Sequence, residues 1–521
     1  MSYKQNVYSK SKTYRCWALR CQGVSKRTDI WYNHKMKTFD TLNISQKTQQ
    51  ALTALGYTQP TEVQQAVISE LTAGHDLLVK SQTGSGKTAA FAIPIVETVV
   101  WGERRPQVLV LAPTRELASQ ISEEIFNVGR FKRIKVETLI GHSSFQAQVR
   151  NLKERTHVVV ATPGRLLDHI AQGTIQLDLI KLVVLDEVDE MLSMGFMDQV
   201  DAIFEELPSK PQVALFSATL PKAVRDVADF YVKNPILVEV KATNAVSKRI
   251  DQTFYLVDKE DKLENLYQLL VMENPDSAII FANTRAAVDA ISDYLQQKNV
   301  PNETLHGGME QRDRTRVIND FKHNYFRYLI ATDVAARGID VADIAVVYNY
   351  DLPDNPDAYT HRIGRSARFE KTGQAISLVS AAQRSDFAKI EQVQAGIDAT
   401  ITEMQLPSIS LFDKRLPSFI AKQNRELVLK TDKNTVFKDE IMKLHINAGK
   451  KTKLRAGDVV GAITSIPGIS GDDIGVIAIV EVSTFVEILN GNGSKVLKAL
   501  QTEKIKGRVR KVSRANAGKY E

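Results

Sequence analysis

Short apolar runs alternate with polar clusters along the chain, and the clearest example lies at 182–192, LVVLDEVDEML. Its first four residues are typical of a strand in a parallel sheet, because such strands are covered on both faces. Four carboxylates follow, interrupted by Val188: Asp186, Glu187, Asp189 and Glu190. Taken alone, they fit either the first turn of a helix, where acids interact with the dipole, or a metal site.

A second transition from strand to helix bears on these acids. The run HDLLVK at 75–80 predicts a strand, and SQTGSGKT at 81–88 precedes the helix-like AAFAIPIVETVV. Two glycines permit a backbone that turns its N–H groups toward phosphate oxygens, although Ser81 stands where the general pattern has glycine. The loop therefore predicts binding of a nucleoside triphosphate through Gln82, Thr83, Gly84, Ser85, Gly86, Lys87 and Thr88.

The phosphate loop gives the acids a function. Such a loop needs a carboxylate at the end of a neighbouring strand to hold Mg²⁺, and Asp186 is placed to do so together with the Thr88 hydroxyl. Lys87 is expected to reach the β- and γ-phosphates, and Glu187 to orient and deprotonate the attacking water. Glu190 is expected to be an ordinary surface residue.

Length and composition limit the architecture. A chain of 521 residues is too long for one core, and about 150 residues per domain predicts three units. No apolar run approaches the roughly 18 residues that span a bilayer, and the first residues lack a signal-peptide core. We therefore expect a cytoplasmic protein without a membrane partner.

The first 35 residues differ from the rest of the chain. They hold both cysteines, Cys16 and Cys21, two of the three tryptophans and no periodic pattern. We expect Met36 to be the natural start, and residues 1–35 to be an extension that is disordered or not native.

The net charge of +7 is distributed unevenly. Residues 1–35 carry eight Lys/Arg against one acid, and residues 436–521 carry fifteen against nine, so the remaining chain sums to −6. A basic tail on an acidic body is typical of a protein that binds nucleic acid.

From these motifs onward, residues 39–400 resemble the DEAD-box RNA helicases of superfamily 2. The namesake motif is DEVD at 186–189, with Val188 in place of the usual alanine. Upstream, Phe39 and GYTQPTEVQ at 56–64 are similar to the adenine-recognition element. The resemblance implies that Gln64 reads the base edge and that Tyr57 packs near the ring.

Three further segments of this half match the family in order: PTRELA at 113–118, TPGR at 162–165 and SAT at 217–219. The resemblance implies that the first two hold RNA phosphates, and that the third couples hydrolysis to domain movement. A family Gly-Gly pair is replaced by Gly141-His142. The implied RNA contacts are Pro113, Thr114, Arg115, Thr162, Pro163, Gly164 and Arg165, and the implied coupling residues are Asp189, Ser217, Thr219 and His361.

A second α/β unit follows at about residue 250. It contains AIIFANTR at 278–285, HGGMEQRDR at 306–314, ATDVAARGID at 331–340 and HRIGRSAR at 361–368. By resemblance, Arg365 and Arg368 reach the γ-phosphate and Asp340 contacts the ribose. The implied RNA contacts of this half are Gln311, Arg314, Thr332 and Arg337, and the catalytic set is Lys87, Asp186, Glu187, Arg365 and Arg368.

The end of the chain predicts a separate RNA-binding domain. After a charged, poorly patterned stretch at 413–439, the elements follow as β-α-β-β-α-β, the arrangement of an RNA-recognition fold. It resembles the C-terminal domain of the DbpA subfamily, whose members bind a hairpin of large-subunit ribosomal RNA. Phe485 is the one aromatic residue of TFVEILN, and it is either a base-stacking or a core residue. Basic segments at 449–455, including Lys450, Lys451, Lys453 and Arg455, and at 504–514 are either RNA contacts or a solvated face.

Together these features predict an α/β protein with two RecA-like parallel-sheet domains in tandem and a C-terminal α+β RRM-like domain. The expected bounds are 36–243 for domain 1, 250–405 for domain 2, 406–436 for a linker and 437–516 for the C-terminal domain. The resemblance implies an ATP- and Mg²⁺-dependent RNA helicase acting on 23S ribosomal RNA and large-subunit precursors. The alternatives are a general remodeller of messages and cold-shock structures, and an ATP-gated RNA clamp.

Overall fold

The computed structural model describes residues 28–29, 38–81, 84–208, 211–239, 250–336, 344–366, 372–396, 399–430 and 441–515. These residues form an eight-stranded sheet, a seven-stranded sheet, a four-stranded sheet and a two-stranded hairpin. The predicted fold class is confirmed, with two parallel-sheet RecA-like domains followed by a small antiparallel-sheet domain. None of the helices in these ranges has the length and apolar character needed to cross a membrane.

Domain 1 is built on the eight-stranded parallel sheet. Its strands are β1 (Thr28–Asp29), β2 (Leu77–Lys80), β3 (Val108–Leu111), β4 (Val136–Leu139), β5 (Val158–Ala161), β6 (Leu182–Leu185), β7 (Gln212–Ser217) and β8 (Ile236–Glu239), in the order β1-β8-β2-β7-β6-β3-β5-β4. The β3, β5 and β6 strands are buried throughout, as their continuous apolar runs predict.

Helices cover both faces of this sheet. They are α1 (Gln46–Ala54), α2 (Glu62–Thr72), α3 (Lys87–Thr98), α4 (Arg115–Val128), α5 (Phe145–Leu152), α6 (Pro163–Ala171), α7 (Val188–Ser193), α8 (Met197–Glu205) and α9 (Lys222–Tyr231). One apolar cluster lies on each side of the strands. Because β2 and β6 both pair in parallel with β7, the loops that follow them lie at the same edge of the sheet.

Domain 2 repeats the same design. Its strands are β9 (Ile250–Leu256), β10 (Ala278–Phe281), β11 (Asn302–Leu305), β12 (Tyr328–Ala331), β13 (Val346–Asn349), β14 (Gly373–Val379) and β15 (Ile401–Met404), in the order β11-β12-β10-β13-β14-β9-β15. Its helices are α10 (Lys262–Glu273), α11 (Arg285–Gln297), α12 (Gln311–Lys322), α13 (Asp333–Ala336), α14 (Pro356–Ile363), α15 (Arg384–Ala395) and α16 (Ile409–Gln423).

The C-terminal domain has its own apolar core. Its elements are β16 (Met442–Ile446), α17 (Ala456–Thr464), β17 (Ile474–Ile479), β18 (Thr484–Ile488), α18 (Gly493–Ala499), β19 (Lys504–Ile505), β20 (Arg508–Val509) and β21 (Val512–Arg514). The sheet order β17-β18-β16-β21 agrees with the predicted RNA-recognition arrangement. The last strands of this domain pair separately, because β20 pairs with β19 in a hairpin and β21 alone joins the four-stranded sheet.

The predicted linker is wrong over helix α16. Phe412 and Phe419 lie on one side of this helix and pack edge-on against Tyr267 of α10, with ring centroids 5.9 and 6.2 Å away. The helix is therefore part of domain 2. In the sequence, charged residues between its apolar positions obscured the helical pattern. Residues 431–436 of the predicted linker and the stretch 241–248 between domains 1 and 2 lie outside the described residues.

Two residues of the predicted N-terminal extension form strand β1. Thr28 and Asp29 pair in parallel with Ile236 and Leu237 of β8, whose outer edge would otherwise leave backbone groups unpaired. The other residues of 1–35 lie outside the described ranges.

Candidate active site and nucleic-acid interface

The phosphate loop joins β2 to α3. Gly84 and Gly86 have φ angles of 84° and 87°, which favour glycine. A Cβ atom at Gly86 would lie 2.5 Å from Nε2 of Gln64, so a side chain at this position would collide with the neighbouring element. The loop places Lys87 and Thr88 in the first turn of α3. Gln82 and Thr83 lie outside the described residues.

The predicted adenine element is hydrogen-bonded to this loop. Thr61 caps α2 and its hydroxyl donates to the Ser85 carbonyl at 3.1 Å. The buried Gln64 amide accepts from Thr61 N–H at 2.9 Å and donates to the Gly86 carbonyl at 3.3 Å. Phe39 lies edge-on to Tyr57, with centroids 6.3 Å apart. The adenine element and the phosphate loop are thus joined by hydrogen bonds. The recognition of adenine by Gln64 stays a prediction.

The predicted catalytic acids follow β6, beside the loop. Asp186 is 2% exposed, and burial raises the pKa of its carboxyl to about 6, although Lys87 opposes this rise. Lys87 is 6% exposed, and its ammonium group has no hydrogen-bond partner among the described residues. A buried cation and a buried carboxylate without full compensation suit a phosphate and a metal ion.

Glu187 adopts a left-handed backbone, with φ 53° and ψ 56°. Its N–H donates to the Asp186 carboxylate at 3.0 Å, and its own side chain is 9% exposed. Non-glycine residues adopt this conformation at a cost, and they cluster at functional sites.

The predicted coupling residues meet beside these acids. The Asp189 carboxylate accepts from the N–H and the hydroxyl of Thr219, at 3.0 and 3.1 Å. The Ser217 hydroxyl donates to the Thr219 carbonyl at 2.6 Å. His361 of domain 2 lies across the cleft, with its Nδ1 3.4 Å from Oε1 of Glu190.

The expectation that Glu190 is an ordinary surface residue is therefore wrong. Its side chain is 8% exposed and lies between the two domains. The opposing ring is far along the sequence, so no local pattern marks the pair.

The predicted RNA contacts of domain 1 lie where β3 and β5 end. Thr114 caps α4 by accepting from Leu117 N–H at 3.2 Å, and Pro113 precedes it. Thr162 precedes α6, whose first two residues are Pro163 and Gly164. Arg165 donates to the Ser143 carbonyl at 3.1 Å and to Oε1 of Gln148 at 2.8 Å. The loop holding Ser143 thereby joins this group.

Residues of domain 2 complete the same surface. Arg115 donates to Oε1 of Gln311 at 2.9 Å, and Gln311 donates to Oε1 of Glu116 at 3.1 Å. Arg314 forms a mostly buried ion pair with Glu116, with 3.0 Å between its Nη2 and Oε1. Burial lowers the pKa of Arg115; the Glu116 charge opposes this change, and the charges of Arg314 and Arg165 add to it. This cluster of three arginines spans the cleft and suits a phosphate backbone.

The remaining predicted residues of domain 2 are placed unevenly. Arg365 is buried just after α14, and Thr332 is half-buried after β12. Arg337, Asp340 and Arg368 lie outside the described residues. Arg362, which no prediction singled out, donates two hydrogen bonds to the Asp333 carboxylate and one to Oδ1 of Asn283 at 2.9 Å. It therefore fixes α14 against the ends of β10 and β12.

The two basic segments of the C-terminal domain lie side by side. The Lys506 ammonium donates to the Lys453 carbonyl and lies 3.4 Å from the Asp458 carboxylate. The basic edge formed in this way comprises exposed Lys450, Lys451, Lys453, Arg455, Lys504, Lys506 and Arg508.

Comparison with known proteins agrees with this geometry. Residues 61–227 match the family described as DEAD/DEAH box helicase, residues 261–370 the helicase conserved C-terminal domain, and residues 443–514 the DbpA RNA binding domain. The chain is 47% identical over 481 residues to the ATP-dependent RNA helicase DbpA of Bacillus subtilis, covering 92% of this chain and 100% of that protein. The chain belongs to the DEAD-box ATP-dependent RNA helicases.

Two further similarities extend this assignment. DbpA of Escherichia coli is 36% identical over 479 residues, which cover 92% of this chain and 99% of that protein. The structure of Saccharomyces cerevisiae Dbp5 bound to RNA and ADP BeF3 has a TM-score of 0.66 and 31% identity, and it covers 74% of this chain and 100% of that one. This DEAD-box helicase is therefore of the DbpA type, and the predicted family and enzyme class are confirmed.

One prediction concerns His142, which replaces a family glycine. Its φ angle of 62° is left-handed, and its side chain is exposed beside the Arg115 and Arg165 group. His142→Gly is expected to raise the free energy of unfolding by about 0.5–1 kcal/mol, because glycine relieves the backbone strain. Urea unfolding measures it. The matched control is Ser143→Gly, where φ is not positive and a small loss is expected. Destabilisation by His142→Gly would show that the imidazole makes a compensating contact.

A second prediction concerns the ion pair across the cleft. Glu116→Gln removes the charge that faces Arg314. The closed arrangement, in which domains 1 and 2 are in contact, should therefore lose stability relative to an open arrangement in which they are apart. We expect the enhancement of RNA affinity by a non-hydrolysable ATP analogue to fall at least about fivefold. RNA titrations with and without the analogue measure it, with the exposed Glu205→Gln as control. An unchanged enhancement would exclude this pair from the coupling.

Proposed function

We propose that this helicase uses ATP and Mg²⁺ to unwind or remodel 23S ribosomal RNA in the cytoplasm, during assembly of the large ribosomal subunit. The observation that carries the proposal is the C-terminal domain. It matches the DbpA RNA binding domain, and its two basic segments form one continuous edge. The core, by contrast, offers backbone-type contacts that carry little sequence information.

In this proposal the ATP site acts through residues of both parallel-sheet domains. Asp186 and Thr88 would hold Mg²⁺, which neutralises phosphate charge when bound. Lys87 would bind the terminal phosphates, and Arg365 and Arg368 would meet the charge that develops on the transferred group. The Glu187 carboxylate would orient and deprotonate the attacking water.

ATP and RNA would each bridge the two domains. The ATP-side bridge includes Glu190 with His361, and the RNA-side bridge includes Glu116 with Arg314. Because both ligands favour the same closed arrangement, each should increase the affinity for the other. Binding of one strand in the closed cleft would disrupt a short duplex, and hydrolysis would reopen it.

The experiment compares RNA stimulation of the ATPase of the full chain. A 23S ribosomal RNA fragment and a scrambled RNA of equal length and composition are titrated at fixed salt. We expect half-maximal stimulation at a concentration at least about tenfold lower for the ribosomal fragment, because specific contacts add to the electrostatic attraction. Half-maximal stimulation at equal concentrations of the two RNAs would favour the general remodeller. Tight ATP-dependent RNA binding with negligible turnover would favour the clamp.

A further inference from the structure

The outer face of the C-terminal sheet is poorly suited to RNA. On the two central strands, Lys443 lies opposite Glu487 and His445 lies opposite Phe485, while the intervening residues belong to the core. The two rings lie against each other, with centroids 5.1 Å apart. The Glu487 side chain is 7% exposed, and its carboxylate would repel a phosphate. An RNA-recognition fold that stacks bases on its sheet leaves its aromatic rings open to the bases, whereas these two rings are half-buried against each other.

Domain 1 packs against the part of this face that holds Glu487 and Leu489. Arg130, which lies just beyond α4, forms an ion pair with Glu487 across 3.2 Å, and the two side chains are 13% and 7% exposed. The pair adjoins a buried apolar cluster with members from both domains: Ala51, Phe131, Ile441 and Leu489.

Polar contacts surround this centre. The Gln50 amide donates to Oδ1 of Asn490 at 3.3 Å, and the Arg133 guanidinium donates to the Gly471 carbonyl. Two exposed ion pairs lie farther out, Lys47 with Asp472 at 2.8 Å and Lys450 with Glu154 at 3.5 Å. A buried centre with a polar rim is the anatomy of a specific protein interface.

The charges at the centre are complementary. Burial lowers the pKa values of Lys135 on domain 1 and Lys443 on the sheet, and in both cases the Glu487 carboxylate opposes the change. Glu487 therefore faces the three cations Arg130, Lys135 and Lys443, and a charge reversal there would replace an attraction to each of them with a repulsion.

We propose that this face is a docking surface for domain 1 and not a platform for nucleic acid. The C-terminal domain and domain 1 would then move as one unit, while domain 2 opens and closes the cleft. The basic edge would hold RNA at a fixed position relative to the ATP-binding domain. The inference rests on the contacts of the described residues and is independent of which RNA is bound.

The test measures distances in the full chain by single-molecule fluorescence transfer. Cys16→Ser and Cys21→Ser remove the native thiols, and dyes are attached through Thr502→Cys with either Gln172→Cys in domain 1 or Gln297→Cys in domain 2. These three positions are exposed. We expect the 172–502 distance to stay constant when a non-hydrolysable ATP analogue and an RNA hairpin are added, and the 297–502 distance to change.

Charge reversal tests the contact itself. Arg130→Glu and Glu487→Arg should each abolish the docked 172–502 population, and the double variant should restore it. Lys47→Glu, at an exposed pair of the same interface, should leave that population largely intact. Equal ligand-induced changes in both distances in the unmutated chain would overturn the proposal, whether or not the variants fold. So would single reversals that fold and leave the docked population unchanged.

A binding experiment separates docking from RNA contact. Phe485→Ala should change the affinity for an RNA hairpin less than twofold, whereas neutralising Lys451, Lys453 and Arg455 should weaken it at least tenfold. A tenfold loss with Phe485→Ala, in a protein whose 172–502 distance is unchanged, would refute the assignment of the sheet face.

Discussion

Glu187→Gln is expected to lower the rate of ATP hydrolysis by about 10²- to 10⁴-fold while ATP and RNA binding persist. The carboxylate follows β6 in a left-handed backbone conformation, beside the buried Asp186. Glutamine retains the size of the side chain and removes its basicity, so binding survives and proton abstraction fails. Single-turnover hydrolysis and fluorescent-nucleotide titrations measure the two effects separately.

Lys87→Ala is the contrasting variant. It removes a buried ammonium group that has no protein partner among the described residues, so ATP affinity itself should fall. Glu205→Gln, on the exposed side of α8, is the matched control and should behave as the unmutated chain. Hydrolysis by Glu187→Gln at the unmutated rate would remove Glu187 from the proposed mechanism.

Asp186→Asn is expected to stabilise the ligand-free protein and to abolish ATP turnover. Burial raises the pKa of this carboxyl from 3.8 to about 6, so the folded state holds the proton more tightly than the unfolded state. The stability that the protonated Asp186 carboxyl contributes to the folded state is therefore fully present below about pH 4, and it is lost as the pH rises through 6. Asparagine cannot ionise. Above pH 6 the free energy of unfolding of the variant should therefore exceed that of the unmutated protein by on the order of 1–3 kcal/mol.

Thermal unfolding at pH 4, 5, 6 and 8 checks this dependence. The two proteins should have similar stability at pH 4 and should diverge as the pH rises. A constant difference at all four values would mean that Asp186 does not titrate in this range. Added Mg²⁺ and ATP should stabilise the unmutated protein above pH 6 and should stabilise the variant far less.

The parts of this molecule that local patterns describe could be predicted from the sequence. The apolar strands β3, β5 and β6 are buried on both faces, and the glycines of the phosphate loop adopt the expected positive φ angles. The coupling residues were identified by resemblance, and the contact between Asp189 and Thr219 follows because β6 and β7 are neighbours.

Features that depend on distant partners could not be predicted. Glu116 belongs to a quoted motif, yet its role in the cleft depends on Arg314 of domain 2. In the sequence, Glu190 is one more acid in an acidic stretch, because its partner His361 belongs to domain 2. Glu487 occupies an ordinary polar position on β18, and the local pattern contains no sign of Arg130.

The most direct test of the proposed function is a titration of the full chain with a 23S ribosomal hairpin and its scrambled counterpart at several salt concentrations. Unwinding of a short duplex attached beside each hairpin is followed in the same samples. We predict tighter binding to the ribosomal hairpin, ATP-dependent unwinding of its attached duplex, and a weaker salt dependence when Lys450, Lys451, Lys453 and Arg455 are neutralised. Equal affinity for both hairpins, with equal unwinding of both attached duplexes, would contradict the account.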